Sequence, residues 1–231
     1  KDMEDPDIEY ISIKISTIYS QISSLAFDET VATLRDRLSA IYRAAKKHHF
    51  TRPNGEKVPK FVNLDMEEYR DLEITYQVFV STLNQEEFLD YSAGIVLQAY
   101  LPDSYEIQKK LTAWARERVA KGGAPVKLRI VKGANMEMEK LESSLNNWPL
   151  APYDNKLEVD ANYKRMVRFG MEPDNIRAVN LGIASHNLFE LAYAAVLARE
   201  NGVNDSFYFE MLEGMADHVR RALQESAGDL L

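Results

Sequence analysis

The sequence predicts an α/β protein in which strands alternate with helices. Short runs of apolar, β-branched residues recur six times along the chain, and longer segments with apolar residues every three or four positions separate them. Because parallel strands need long, usually helical crossovers, this alternation is typical of a β/α barrel or of an open doubly wound sheet. In either architecture, ligands bind at the carboxyl ends of the strands.

The predicted strands are short, and turn residues or charges flank most of them. They cover residues 10–16, 60–65, 94–100, 126–132, 177–185 and 206–211. Two proline-containing segments, 51–59 and 147–155, are predicted loops.

The predicted helices follow from apolar periodicity. The apolar face of the first consists of Val31, Leu34, Leu38, Ile41 and Ala45. Asp28 is its predicted N-cap. A later helix has apolar positions from Leu188 to Val196 and a stop signal at Asn201-Gly202. Further helices are predicted over 66–83, 104–121, 136–145, 157–169 and 214–226.

Composition excludes several classes of protein. The 231 residues are 45% hydrophobic and carry a net charge of −8, which argues against a nucleic-acid binder or a general binder of anionic membranes. The absence of cysteine rules out disulfides and thiol catalysis, and four histidines make a histidine-rich metal site an unfavoured interpretation. No apolar run reaches the roughly 18 residues of a membrane span, and the N-terminus is not of signal-peptide type. We expect a cytoplasmic protein and, since no methionine begins the chain, an excerpt from a longer one.

Polar side chains occur near the end of every predicted strand, where a plain core would not need them. In chain order they are Ser12, Lys14 and Ser16; Asn63 and Asp65; Gln98; Lys127, Arg129 and Lys132; Ser185, His186 and Asn187; and Glu210. Charged residues are rarely buried without a partner or a function. Their coincidence at one end of the sheet therefore predicts a site.

Each of these residues also has a structural interpretation. Lys14 fits an ion pair inside a barrel, and Gln98 fits an interior hydrogen bond. Asp65 and the two glutamates that follow it fit a helix N-terminus. His186 fits a core or capping histidine.

The segment Lys132-Gly133-Ala134 is the most suggestive local feature. A lysine directly after a strand, followed by two small residues, lets backbone amides and an ammonium group approach a phosphate. No dinucleotide fingerprint or P-loop motif accompanies it.

At these strand ends the sequence resembles the proline dehydrogenase domain of bacterial bifunctional proline utilization A flavoenzymes. The matching stretches are residues 11–16, 61–68, 95–100, 128–134, 184–187 and 209–215, in order along the chain. The resemblance implies a (β/α)8 TIM-like barrel of the proline dehydrogenase type, here lacking about one β/α repeat at each end, with residues 1–231 as a single partial domain. It also implies FAD-dependent oxidation of L-proline to Δ1-pyrroline-5-carboxylate, the first step of proline catabolism to glutamate, by hydride transfer to flavin N5.

The resemblance assigns roles to individual residues. Arg129 would lie beside flavin N5, and Gln98 would hydrogen-bond the pyrimidine edge of the flavin. The remaining cofactor-binding residues would be Val131, Lys132, Gly133, Ala134, Ser185, His186 and Asn187. The substrate-binding residues would be Lys14, Asp65 and Leu212, and the catalytic residues would be Lys14, Asp65 and Arg129. Asp65 is either a base or a member of an orienting ion pair with Lys14 or Arg129. No metal is implied.

Three departures from the family pattern stand out. Asn135 replaces an aromatic residue that many relatives place over the flavin, and residues 153–156 lack a threonine found in some relatives. The family's arginine pair for the substrate carboxylate has no counterpart here, because Arg220-Arg221 lies one repeat too early and is interpreted as surface charge.

The expected partners are L-proline, a quinone or other electron acceptor, and a downstream aldehyde dehydrogenase domain in the full-length protein. No nucleic-acid partner is expected, and peripheral membrane association is expected only through other regions. Two alternative functions stay open: a Schiff-base aldolase that uses Lys14 or Lys132, and a non-catalytic barrel fragment.

Overall fold

The fold contains the predicted parallel sheet. The computed structural model describes residues 2–212 and 214–227. The six strands of the main sheet follow the order β1-β4-β5-β6-β7-β8, and the pairs β1–β4, β4–β5 and β7–β8 are parallel. These strands are β1 (Tyr10–Lys14), β4 (Phe61–Asp65), β5 (Gly94–Gln98), β6 (Val126–Val131), β7 (Val179–Ala184) and β8 (Phe207–Glu210). All six predicted strands are confirmed, each beginning or ending within two residues of its predicted limit.

Helices occupy the segments between the strands, as the periodicity predicts. They are α1 (Ile15–Ile18), α2 (Phe27–Lys47), α3 (Leu72–Leu83), α4 (Asp103–Ala120), α5 (Met136–Asn146), α6 (Lys156–Gly170), α7 (Pro173–Ile176), α8 (Leu188–Asn201) and α9 (Asp217–Ala227). None of the helices within the described ranges has the length and apolar character to cross a membrane.

Three local predictions are wrong. The segment 51–59 is not a loop throughout, because β2 (His49–Thr51) and β3 (Lys57–Pro59) form an antiparallel hairpin. Its turn contains Asn54-Gly55, a pair that favours tight hairpin turns. Asp28 is not an N-cap, since α2 begins one residue earlier and Asp28 lies in its first turn.

The third wrong prediction is the start of the helix after β4. Residues 66–68 are not helical, and a 3-10 turn at Tyr69–Asp71 precedes α3. Asp65 and the next two glutamates therefore do not form the N-terminal turn of that helix.

The described residues divide into two compact units. The first comprises residues 2–96 and 118–126, and the second comprises 97–117, 127–212 and 214–227. In the first unit, the buried ring of Tyr42 lies 5.7 Å from Phe88 and 5.1 Å from Tyr91, centroid to centroid. Burial raises the pKa of the Tyr42 hydroxyl well above its usual value.

In the second unit, the apolar core includes alternate residues of two strands. The buried side chains of Leu128 and Ile130 come from β6, and those of Leu181 and Ile183 come from β7. The register of β7 with β8 pairs Ala184 with Glu210, so the final residues of the two strands lie side by side. Polar residues at these ends therefore lie close together.

Candidate active site

The first unit contains two of the three residues that the resemblance assigns to the substrate, Lys14 and Asp65. Lys14 ends β1 and Asp65 ends β4, and the two are direct partners in the strand register. Asn63 donates a hydrogen bond from Nδ2 to Asp65 Oδ1 at 3.0 Å, and the same nitrogen lies 3.4 Å from Ser12 Oγ. Asn63 and Asp65 therefore lie on the same face of β4.

Lys14 has an acidic partner that the sequence did not single out for it. Its Nζ lies 3.3 Å from Glu67 Oε1, with the lysine side chain about half exposed. Ser16 donates a hydrogen bond to the other oxygen of Glu67. Glu67 therefore links the segments that follow β1 and β4.

In the second unit, Glu210 is the centre of a cluster of charged strand-end residues. Its Oε1 lies 2.8 Å from Lys127 Nζ, and its Oε2 accepts a hydrogen bond from Arg129 Nε. The Lys127 and Glu210 side chains are 7% and 8% exposed, and Arg129 is 27% exposed. Lys127 and Arg129 lie on the same face of β6, since both contact the same carboxylate.

Lys132, the predicted phosphate ligand, lies in a second ionic cluster. Its Nζ is 2.5 Å from Asp160 Oδ1 and 2.6 Å from Glu190 Oε1. Lys156 contacts the other Asp160 oxygen, also at 2.5 Å. Burial opposes the lysine charge, but the two carboxylates outweigh it and raise the pKa of Lys132. The ammonium group is therefore held as a cation between two helices, α6 and α8.

Hydrogen bonds fix the backbone of the Lys132-Gly133 segment. The carbonyls of Val131 and Lys132 accept hydrogen bonds from the amides of Ala99 and Tyr100, both at 2.7 Å. Gly133 has a φ of 131°, and a Cβ at this position would overlap with the Tyr100 ring. Only glycine fits this backbone beside the tyrosine. Gly133 and Ala134 are both exposed.

The segment Ser185-His186-Asn187 connects β7 to α8. Ser185 Oγ donates to Glu190 Oε2 at 2.8 Å and accepts the Asn187 amide at 3.0 Å. Asn187 Oδ1 accepts the Phe189 amide at 3.0 Å, so Asn187 is the N-cap of α8. The capping role considered for His186 belongs to Asn187.

His186 is half-buried and points toward the residues after β8. Its Nε2 accepts a hydrogen bond from the Leu212 amide at 3.4 Å. Its Nδ1 is buried and has no hydrogen-bond partner among the described residues. A buried ring nitrogen without a partner is costly, which makes this atom available to a ligand.

The other predicted site residues have the following positions. Gln98 is 3% exposed at the end of β5. Leu212 is 67% exposed. Glu213, within the 209–215 stretch of the resemblance, lies outside the described residues. On α9, Arg221 is exposed and Arg220 is half-buried.

Sequence reasoning assigned no role to the two carboxylates that hold Lys132. Glu190 is 3% exposed although the rest of α8 from Leu188 to Ala198 is apolar, and this charge three residues after the N-cap was a usable signal. Asp160 is four residues from Lys156, a spacing that equally fits an ordinary surface pair. Only the tertiary structure shows that Lys132 joins both carboxylates.

The strand order and the polar strand ends are features of an enzyme of the β/α barrel class. The family model described as proline dehydrogenase matches residues 1–230. The chain belongs to the proline dehydrogenase family.

The similar solved structures are proline utilization A (PutA) proteins. PutA from Corynebacterium freiburgense is 43% identical with a TM-score of 0.90, over 99% of this chain and 23% of that one. PutA from Bdellovibrio bacteriovorus, solved after inactivation by N-propargylglycine, is 36% identical with a TM-score of 0.84, over 95% of this chain and 21% of that one. The chain thus spans less than a quarter of the length of these relatives. A comparison with curated protein sequences gives no match.

Proposed function

We propose that this chain supplies the flavin-binding part of an FAD-dependent proline dehydrogenase that oxidises L-proline to Δ1-pyrroline-5-carboxylate. The observation that carries the proposal is the arrangement in the second unit. Arg129 lies near the carboxyl end of β6, Lys132 directly follows that strand, and each is oriented by a buried carboxylate from another element. In a chain of the proline dehydrogenase family, such oriented cations suit a cofactor that carries phosphates and gains electrons.

The residues present fit a flavin dinucleotide. The Tyr100 ring fills the space that a side chain at position 133 would need, and the Gly133 residue itself is exposed, so its backbone is open to a diphosphate. The unpartnered Nδ1 of His186 offers a hydrogen-bonding atom next to the same strand ends. When bound, FAD supplies the hydride acceptor.

We assign the cofactor-binding roles as follows. Arg129 lies beside flavin N5, where its positive charge favours the electron-rich reduced state. Gln98 hydrogen-bonds the pyrimidine edge, and Lys132 contacts the pyrophosphate while Asp160 and Glu190 hold its ammonium group. The backbone or side chains of Val131, Gly133, Ala134, Ser185, His186 and Asn187 complete the cofactor contacts.

Lys14, Asp65 and Leu212 are the residues we assign to the substrate. Leu212 offers an exposed apolar side chain for the proline ring. Asp65 is already hydrogen-bonded by Asn63, which favours an orienting role for its carboxylate over that of a free base. Lys14, with Glu67, completes this polar group.

The remaining parts of the proposal concern the full-length protein. A quinone or another electron acceptor reoxidises the flavin, and an aldehyde dehydrogenase domain downstream consumes the hydrolysed product. We propose a cytoplasmic protein whose membrane association, if any, uses other regions.

The Schiff-base aldolase is the second candidate, and the structure disfavours one of its two lysines. A nucleophilic lysine needs a depressed pKa, whereas the pKa of Lys132 is raised by its hydrogen bonds to Asp160 and Glu190 despite burial. A non-catalytic barrel fragment is the third candidate, and it would be contradicted if these 231 residues alone oxidised L-proline at the rate of the full-length protein.

An absorbance spectrum of the purified full-length protein tests the proposal. We expect a flavin spectrum that bleaches when L-proline is added without oxygen. Arg129→Met should retain flavin and lower kcat about 100-fold or more, while Arg168→Met, at an exposed position of α6, should match the parent protein. A colourless protein, or an adduct on Lys14 or Lys132 trapped by borohydride with a carbonyl substrate, would contradict the proposal.

A further inference from the structure

The carboxylate of Glu210 is shared by two cations from one strand. Lys127 and Arg129 are two residues apart on β6, so their side chains extend from the same face. Glu210 ends β8 and contacts Lys127 through Oε1 and Arg129 through Oε2. One carboxylate therefore fixes the positions of both cations.

The Lys127–Glu210 pair is almost fully buried. Both side chains are less than 9% exposed, and their charged atoms are 2.8 Å apart. Lys127 Nζ also lies 5.0 Å from the centre of the Tyr208 ring. Removing ions from water costs several kcal/mol, which such a pair does not regularly recover in stability. The burial of this pair therefore favours a role other than stability.

The chain leaves room for this pair at Gly182 of β7. A Cβ on Gly182 would overlap with Glu210 Oε1 and come within 3.2 Å of Lys127 Cε. Three strands thus contribute to one feature: β6 supplies the cations, β7 supplies the space, and β8 supplies the carboxylate.

We infer that Glu210 is a positioning residue that orients the Arg129 guanidinium and, together with Lys127, sets the reduction potential of the bound flavin. This inference rests on the proposed function, which places Arg129 beside flavin N5. Lys127, Arg129 and Glu210 together carry two positive charges and one negative charge. A reduced flavin is richer in electrons than an oxidised one, so each added positive charge nearby favours reduction and each added negative charge opposes it.

Removing the charge of Glu210 and removing the charge of Lys127 should shift the midpoint potential of the flavin in opposite directions. Glu210→Gln removes the negative charge that both cations contact and should shift the midpoint potential to more positive values. Lys127→Gln leaves the carboxylate with Arg129 alone and should shift it to more negative values. We expect each shift to change the ratio of reduced to oxidised flavin at a fixed potential about tenfold or more, which is about 30 mV for a two-electron couple.

The test measures midpoint potentials of the full-length flavin-loaded protein by equilibration with reference dyes. The variants are Glu210→Gln, Lys127→Gln and the double variant, which has the net charge of the parent and should have nearly its potential. Asp174→Asn is the control, because it removes an exposed carboxylate that pairs with Arg177 at 3.2 Å. Its potential should equal that of the parent.

The inference is overturned if both single variants shift the potential in the same direction, or if neither shifts it more than Asp174→Asn. If Glu210→Gln does not fold, Lys127→Gln decides: a negative shift supports the inference and an unchanged potential overturns it. A protein that binds no flavin refutes the proposed function instead. One that binds flavin and oxidises proline with unchanged potentials refutes only the role of Glu210.

Discussion

At the scale of single residues, Gly133 is the position where the backbone most directly restricts the choice of side chain. Gly133→Ala would place a Cβ against the Tyr100 ring and hold alanine at a φ of 131°. We expect a loss of about 1–3 kcal/mol in the free energy of unfolding, with weaker FAD binding. Urea denaturation and flavin titration measure the two effects.

Gly122→Ala is the matched control for this substitution. Gly122 also has a positive φ, 83°, but nothing lies within 4 Å of a Cβ built there. Gly122→Ala should lower the free energy of unfolding by about 1 kcal/mol, from backbone strain alone. Equal losses for the two variants would show that the Tyr100 ring yields without cost.

Asp160 gives a prediction with a defined pH dependence. Burial raises the pKa of this carboxyl, but the hydrogen bonds from Lys132 and Lys156 outweigh it and leave the pKa lowered. A lowered pKa contributes stability above the pKa of the unfolded chain, about 4, and this contribution is lost as the pH falls through the folded value. Lys132, with its raised pKa, loses its contribution only as the pH rises through its folded value.

Asp160→Asn should therefore lower the free energy of unfolding by up to about 1 kcal/mol at neutral pH. The difference from the parent should fade as the pH falls below about 4. Thermal unfolding between pH 3 and pH 8 measures it, with the exposed Asp154→Asn as control. A difference that persists unchanged at acidic pH would mean that the ion pairs of Asp160 do not stabilise the fold.

At the scale of secondary-structure elements, Arg118 anchors the segment between α3 and β6 in the first unit. The arginine is 5% exposed. Its guanidinium donates to backbone carbonyls of Leu83, Phe88, Leu89, Tyr91 and Ala124, at 2.5–3.2 Å. These carbonyls end a helix or lie in turns, so no neighbouring strand supplies donors to them.

Arg118→Met should lower the free energy of unfolding by about 2–4 kcal/mol, because buried carbonyls lose a charged donor that methionine cannot replace. Chemical denaturation gives the value. Arg116→Met, at a half-exposed position of the same helix, should change stability by less than about 0.5 kcal/mol. Similar values for both variants would contradict the anchoring role.

Most elements could be predicted because their apolar periodicity is local. The strands of the main sheet and the long helices follow from alternating or three-to-four spacing, which the core preserves. The errors occurred where tertiary contacts decide. The β2–β3 hairpin contains few apolar residues, so its strands give a weak signal. The segment before α3 is not helical, and the side chain of Glu67 in that segment contacts Lys14.

At the scale of the whole molecule, cofactor binding should raise the stability of the folded protein. A ligand that binds only the folded state adds about 2.7 kcal/mol at 100 times its Kd. We expect FAD to raise the Tm of the flavin-depleted full-length protein, and Lys132→Met to reduce that rise. An unchanged Tm at saturating FAD would count against a flavin site in this chain.

The candidate site was predictable in its location but not in its ionic contacts. Because parallel strands bring their carboxyl ends to one edge, Lys14, Asp65, Arg129 and Lys132 could be assigned to strand ends from their positions alone. Their acidic partners were not assigned. Glu67, Asp160 and Glu190 have spacings that also fit surface or capping residues, and Glu210 was placed at a strand end without a cation to pair with.

The sequence by itself determined the order of strands and helices in the main sheet, the glycine beside Lys132, and the resemblance to the proline dehydrogenase family, which the family match confirms. Only the tertiary structure decided which carboxylate holds which cation: Glu67 for Lys14, Glu210 for Lys127 and Arg129, and Asp160 with Glu190 for Lys132. The physical reason is the separation along the chain over which each kind of interaction acts. Periodicity and turn signals act over a few residues, whereas an ion pair joins residues as much as 83 positions apart whose separation is set by strand pairing and packing.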